Sequence, residues 1–305
     1  MNVKSMFSKV SKNGTHVRIS SKYLIEIFFG LDVNGKYEMV IRCKGRKPKI
    51  SSSKIIDVMI ECFVSNEIAI HFILQENNYL SIFYKFCEDM ASYVESYDEK
   101  VALSATIKRW KEWNKMFSKK KKKLLDEKEI KGLIGELIIL REYFFLHYSE
   151  NEAIQSWLGP LGGHKDFEID DTWYEVKTKT SSALMVEISS LEQLDSDRDG
   201  HLVVVSLDST SPVSIGAINL NLMVASVMSL FSDPDNMELF ITRLSIKGYT
   251  FEEEYEKVAF FHRKTDYYYV NDSFPKLIRS QINPGIGKAE YSIILNSIQD
   301  HKVIK

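Results

Sequence analysis

The stretch DFEIDDTWYEVKTKT, residues 166–180, constrains this chain more than any other. An aspartate pair, Asp170-Asp171, separates two runs of β-formers, so the segment reads as a tight hairpin. Alternate residues of a strand share a face, which sets Glu175, Lys177 and Lys179 on one side and Tyr174, Val176 and Thr178 on the other. The hairpin return brings Asp166 toward the strand that carries Glu175. Two carboxylates and an ammonium are therefore expected at one place. Hard divalent cations such as Mg²⁺ take oxygen ligands and keep several waters, so Asp166, Glu175 and the backbone carbonyl of Val176 would suffice for one, with positions left for phosphate and water.

What this hairpin belongs to is bounded by length and composition. With 305 residues, 44% of them apolar and 12% aromatic, the chain can bury one large core or two smaller ones. Lys plus Arg total 40 against 42 for Asp plus Glu, and a formal charge of -2 gives no global pull toward polyanions. Any polyanion site must be a local patch. Cys43, Cys62 and Cys87 are odd in number, widely spaced and without zinc-ligand spacing, and no signal-like apolar region precedes them. Reduced thiols in a cytoplasm are expected. The longest helical apolar stretch, residues 219–231, is too short for a bilayer and is interrupted by polar residues, so no membrane partner is expected.

Along the chain, β-formers flank Asn34-Gly35, a strong hairpin signal, and IIDVMIEC and EIAIHFIL continue the strand pattern. Helical spacing then runs from Tyr79 to Phe117. Residues 1–118 read as an α+β unit, strands first and helices second. A charged junction, SKKKKKLLDEKEI, opens a second unit over 119–305, with its core at about 130–208 and a C-terminal α/β extension. Its helix keeps an apolar stripe through Leu133, Leu137, Leu140 and Phe144. Glu136 falls at the margin of that stripe, where an unpaired charge is costly. The hairpin, a strand at ALMVEIS, a short helix at SLEQLDSD and a strand at HLVVVSL follow, expected in one sheet. WLGPLGGHKD, with Gly159, Pro160, Gly162 and Gly163, would let backbone pass close to a ligand just before Asp166. KGRKPK at 44–49 and Lys119 to Lys123 could grip a nucleic-acid backbone or be solvated faces. The tyrosines at 267–269 could stack on bases or simply fill a strand.

The order GELIIL, GHKDFEI, WYEVKTK, VEISSLEQL resembles the PD-(D/E)XK nuclease superfamily, and more narrowly the bacterial PD-(D/E)XK-motif family found with restriction-modification and phage-defence systems. The resemblance covers roughly residues 130–208. It implies a restriction-endonuclease-like αβββαβ core in a mixed α+β and α/β fold. It matches Asp166 to the motif's aspartate, Glu175 to its second acid and Lys177 to its lysine. Glu136 matches an acid that some branches carry on the first helix, and Gln193 a glutamine carried by some on the second. Lys165 stands where the motif has proline. By this resemblance the chain is expected to be a metal-dependent endonuclease of DNA, using Mg²⁺ or Mn²⁺ held by Asp166, Glu175 and the Val176 carbonyl, with Glu136 acting directly or through water. A homodimer, or other subunits of a defence system, would supply the second cut of a duplex. A catalytically silent nuclease fold that binds nucleic acid or scaffolds a complex stays open, as does RNA or structured DNA as substrate.

Overall fold

The computed structural model describes every residue except 1–2, 20–24, 65, 96 and 119–122. The chain divides into two compact units, Met1–Lys121 with Met228–Ile241, and Lys122–Val227 with Thr242–Lys305. The lysine run of the junction lies outside the described residues except for Lys123, which is exposed.

In the first unit, helix α1 (Val3–Phe7) precedes strands β1 (His16–Arg18), β2 (Glu26–Leu31), β3 (Tyr37–Lys44), β4 (Ile56–Cys62) and β5 (Glu67–Leu74). The turn at Asn34-Gly35 forms because Gly35 takes φ 84° and the Asp32 carboxylate accepts the N–H groups of Asn34 and Lys36. Leu31 then pairs with Tyr37. The antiparallel sheet has the order β1-β2-β3-β5-β4. Helices α2 (Leu80–Glu95) and α3 (Glu99–Ser118) pack on it, with the Phe72 ring 5.3 Å from both Phe86 of α2 and Trp110 of α3. Lys47 and Lys49 of the KGRKPK stretch line a cavity of about 510 Å³ in this unit. Cys43 and Cys87 are buried and Cys62 is exposed.

The second unit opens with α4 (Glu127–Ile139), started by a reciprocal cap in which Asp126 accepts from the Glu129 N–H and Glu129 accepts from the Asp126 N–H. A π-helical turn, Leu140–Phe144, and α5 (Phe145–His147) continue it, and α6 (Glu150–Ser156) follows. Then come β6 (Phe167–Ile169), β7 (Thr172–Lys179), β8 (Met185–Ile188) and β9 (Gly200–Thr210). The chain continues through β10 (Ile218–Asn219), α7 (Leu220–Met228), α8 (Pro234–Ile246), β11 (Ala259–Val270), β12 (Tyr291–Ile294) and β13 (Lys302–Val303). Asp170 adopts the left-handed region at φ 52°, which lets β6 turn back on β7 with Ile169 opposite Thr172. The main sheet runs β10-β11-β9-β7-β6, with β13 also on β11. Its centre is β9, parallel to β7 and antiparallel to β11, and its buried run from Gly200 to Leu207 is what a strand covered on both faces needs.

Two details differ from the expected core. Strand β8 does not join the sheet of β6, β7 and β9; it pairs with β12. One edge of β7 is taken by β9 along Trp173–Lys179, and β6 takes Thr172–Tyr174 of the other. Val186 and Ile188 of β8 join a cluster with Leu202, Ile293 and Ile298. The expected second helix is only a 3₁₀ turn, Leu191–Gln193, with no side-chain cap at Ser190. The Asp and Ser residues that follow favour local turns over helix. The C-terminal stretch, by contrast, completes the main sheet through β11.

Gly200 permits the central pairing. A Cβ there would lie 2.1–2.6 Å from three atoms of the Trp173 indole, and Trp173 is fully buried. Gly200→Ala is therefore expected to cost at least about 2 kcal/mol of unfolding free energy, because the overpacked ring has no free direction to move. A urea midpoint equal to that of wild type would contradict this packing.

Candidate functional site

Helix α4 approaches β7 closely where Gly135 faces Thr178: a Cβ on Gly135 would fall 2.3 Å from Thr178 Cγ2. The next residue, Glu136, is thereby carried inward and is buried. One of its oxygens, Oε2, accepts from Trp157 Nε1 at 2.7 Å, and the other, Oε1, is 2.7 Å from Lys247 Nζ.

Asp166 immediately precedes β6, and the Phe167–Tyr174 pairing sets it across from Glu175. Its backbone carbonyl accepts from the N–H groups of Leu158 and Gly159 at 2.8 and 3.0 Å. Its side chain, through Oδ2, accepts the Val176 N–H at 2.8 Å. A residue's N–H and C=O face the same edge of a strand, so the Val176 carbonyl also faces the Asp166 edge of β7. Gly159 forms a floor to this corner. A Cβ on it would lie 2.9 Å from Asp166 Oδ1, 3.1 Å from Glu136 Oε2 and 3.3 Å from Lys247 Nζ. These three charged groups thus surround the space above one glycine, at the turn-rich approach expected to pass close to a ligand.

Glu175 and Lys177 share a face of β7, and Lys177 Nζ donates to Glu175 Oε1 at 2.9 Å. The same ammonium donates to Gln193 Oε1 at 2.8 Å, and that oxygen also accepts the Ser189 N–H at 2.8 Å. Gln193 is thus oriented toward Lys177 without needing a helix. Glu175 is only 2% exposed, whereas Asp166 keeps some contact with solvent.

The electrostatics follow from three carboxylates on adjacent elements. Asp166 holds its proton well above the ordinary range, first because of desolvation, then because of the charges on Glu175 and Glu136; Lys247 and the Val176 N–H offset only part of this. Burial likewise raises Glu175, against the pull of Lys177 and Lys165. Lys165, where the motif has proline, is a buried ammonium that donates to the carbonyls of Glu192 and Asp195 at 2.6 and 3.1 Å and lies 4.0 Å over the Trp173 ring. Burial lowers its pKa to about 8.

All the predicted positions, Glu136, Asp166, Glu175, Val176, Lys177 and Gln193, lie in this one region of the second unit. Sequence reasoning missed Lys247 and Trp157. Trp157 had one local signal, its place at the start of the glycine-rich approach; Lys247 had none. Helix α8 joins the two, since the Arg243 guanidinium donates to the Trp157 carbonyl at 2.7 Å one turn before Lys247. The tyrosines of β11 are engaged in packing: Tyr267 lies 5.7 Å from the Tyr143 ring, Tyr268 is buried and Tyr269 donates to Asp199 at 2.5 Å.

Carboxylate oxygens at the rim of a small open cradle are the donor type a hard divalent cation takes. Asp166 Oδ1 and Glu136 Oε2 fit that description, with Glu175 close enough to raise the proton affinity of Asp166. Among the described residues no three His, Cys, Asp or Glu side chains are already gathered for metal binding. The third charge at the cradle is the ammonium of Lys247. No helix among the described residues is long and apolar enough to cross a membrane.

A family model described as "Putative PD-(D/E)XK family member, (DUF4420)" matches residues 4–296. No match was found among curated proteins or among solved structures.

Proposed function

The chain belongs to the PD-(D/E)XK-type family DUF4420, and from that membership together with the Asp166 centre we propose that it is a metal-dependent endonuclease that hydrolyses DNA phosphodiester bonds. The observation that carries this reading is that Asp166 Oδ1 and Glu136 Oε2 face one cradle above Gly159, with the Glu175 charge on β7 near enough to raise the proton affinity of Asp166 and with Lys177 on the same strand face as Glu175. Such a concentration of negative charge is costly for folding and is useful to a cation.

Mg²⁺, with Mn²⁺ as substitute, would be held by Asp166, Glu175 and the Val176 carbonyl, with Glu136 acting directly or through water. A divalent cation bound there lowers the pKa of water and shields the phosphate. Lys177 positions the attacking water and stabilises the charge that develops on phosphate. Gln193 holds the Lys177 ammonium at 2.8 Å and so fixes its direction. Lys47 and Lys49 offer phosphate contacts in the first unit. The biological setting we propose is restriction or phage defence in a bacterial cytoplasm, with a homodimer or partner subunits making the second cut.

Supercoiled plasmid incubated with the protein and Mg²⁺ or Mn²⁺ is expected to be nicked or linearised, and EDTA to prevent it. A second reading, a silent scaffold, draws on the internal matching of the acids by Lys165, Lys177 and Lys247. Plasmid that is bound yet stays intact across metals, methylation states and partner proteins would favour the scaffold. Cleavage of RNA alone would move the substrate class.

A further inference from the structure

Lys247 reaches the centre from the C-terminal end of α8, more than a hundred residues after Glu136. Burial alone would weaken its hold on its proton, but Glu136 and Asp166 more than compensate. Its position is that of a cation: 2.7 Å from Glu136 Oε1, and facing the same cradle as Asp166 Oδ1. A second ion brought to those oxygens would meet this ammonium at close range, where repulsion between a divalent cation and a lysine exceeds what one hydrogen bond returns.

The lysine has somewhere to go. A cavity of about 290 Å³ adjoins the site, lined by Leu125, Glu129, Gly132, Leu133, Glu136 and Lys247. A Cβ on Gly132 would meet nothing within 4 Å, so the space above this turn of α4 is open. Glu129 and Glu136, seven residues apart, lie on one face of the helix, and a four-carbon stem can pivot from one toward the other.

We propose that Lys247 is a displaceable counter-ion: without a divalent cation its ammonium neutralises the Glu136–Asp166 side of the centre, and an arriving divalent cation drives it into the cavity beside Glu129. The inference rests on the metal-dependent reading above. Lys247 is a positioning residue in this scheme. It stabilises the metal-free protein and lowers divalent affinity, so that a monovalent ion gains too little from the carboxylates to evict it.

Calorimetric Mn²⁺ titration of the full chain tests this without reference to cleavage. Lys247→Met is expected to bind Mn²⁺ about tenfold or more tightly than wild type, because a competing positive charge is gone, while melting at a lower temperature in EDTA. Lys247→Arg, which keeps the charge, is expected to show no tightening. A merely structural lysine would give equal or weaker binding in Lys247→Met, and that result overturns the inference while leaving the metal in place. Absence of saturable Mn²⁺ binding in wild type and variants alike would instead remove the metal-dependent reading, and the inference with it. On the wild-type chain, acylation of Lys247 by an amine reagent, followed by peptide mass spectrometry, is expected to accelerate when Mg²⁺ is added. An unchanged or slower rate overturns displacement even if Lys247→Met does not fold.

Discussion

Lys177→Ala is expected to slow single-turnover DNA cleavage by at least about a thousandfold, the combined scale of losing a positioned proton-handling group and a charge stabiliser. Divalent and DNA affinities should stay within about threefold of wild type, because the proposed work of this ammonium is confined to the transition state. One side effect is foreseeable. Lys177 is the nearest countercharge of buried Glu175, so its removal raises that carboxyl's proton affinity further. Metal affinity of the variant should accordingly weaken at low pH and recover as pH rises, while the cleavage rate does not recover. A variant whose rate returns fully at high pH would make Lys177 a counter-ion and no more.

Asp166→Asn carries the other large effect, and it has opposite signs with and without metal. Loss of the proposed direct ligand should weaken Mn²⁺ binding by more than the roughly 10- to 100-fold typical of a supporting residue. The metal-free variant should melt higher than wild type at neutral pH. Folding tightens the Asp166 proton, so the charged form costs stability once pH exceeds the unfolded value, and the cost grows until pH passes the folded value. The gain from asparagine should thus be absent at ~pH 3 and increase as pH rises from there. The amide oxygen can still accept the Val176 N–H, which preserves the local geometry. Melting curves of both proteins in EDTA at several pH values decide the matter. A lower melting temperature for the variant at neutral pH would mean that Lys247 and Val176 outweigh the repulsion of the neighbouring acids.

The meeting of Asp166, Glu175 and Lys177 was legible because two short-range rules suffice for it. A two-residue turn at Asp170-Asp171 sets the register, and strand alternation sets the face. Glu136 was legible through its place on the margin of an apolar stripe. Gln193 reached Lys177 despite an error about its element, since a 3₁₀ turn and a short helix both return the chain toward β7. What escaped was long-range. Alternation in β8 tells which side chains are buried but not which strand lies alongside, and the partner proved to be β12, about a hundred residues later. Lys247 escaped for the same reason: a lysine beside a glycine at a helix end is ordinary punctuation until the helix docks.

The pairing of β9 with β11 has a consequence for how the chain is made. During vectorial synthesis β7 and β9 emerge well before β11, which begins near residue 259. Until then one side of β9, an eleven-residue strand carrying Val203, Val204 and Val205, has no partner for its backbone groups. An uncovered, apolar margin of this length is a template for joining other chains. A truncated product that ends soon after residue 210 would hold Glu136, Asp166, Glu175 and Lys177 but lack Lys247, and would present this margin permanently. Such fragments are expected to aggregate when expressed, and only chains extended through β11 should yield a dispersed protein.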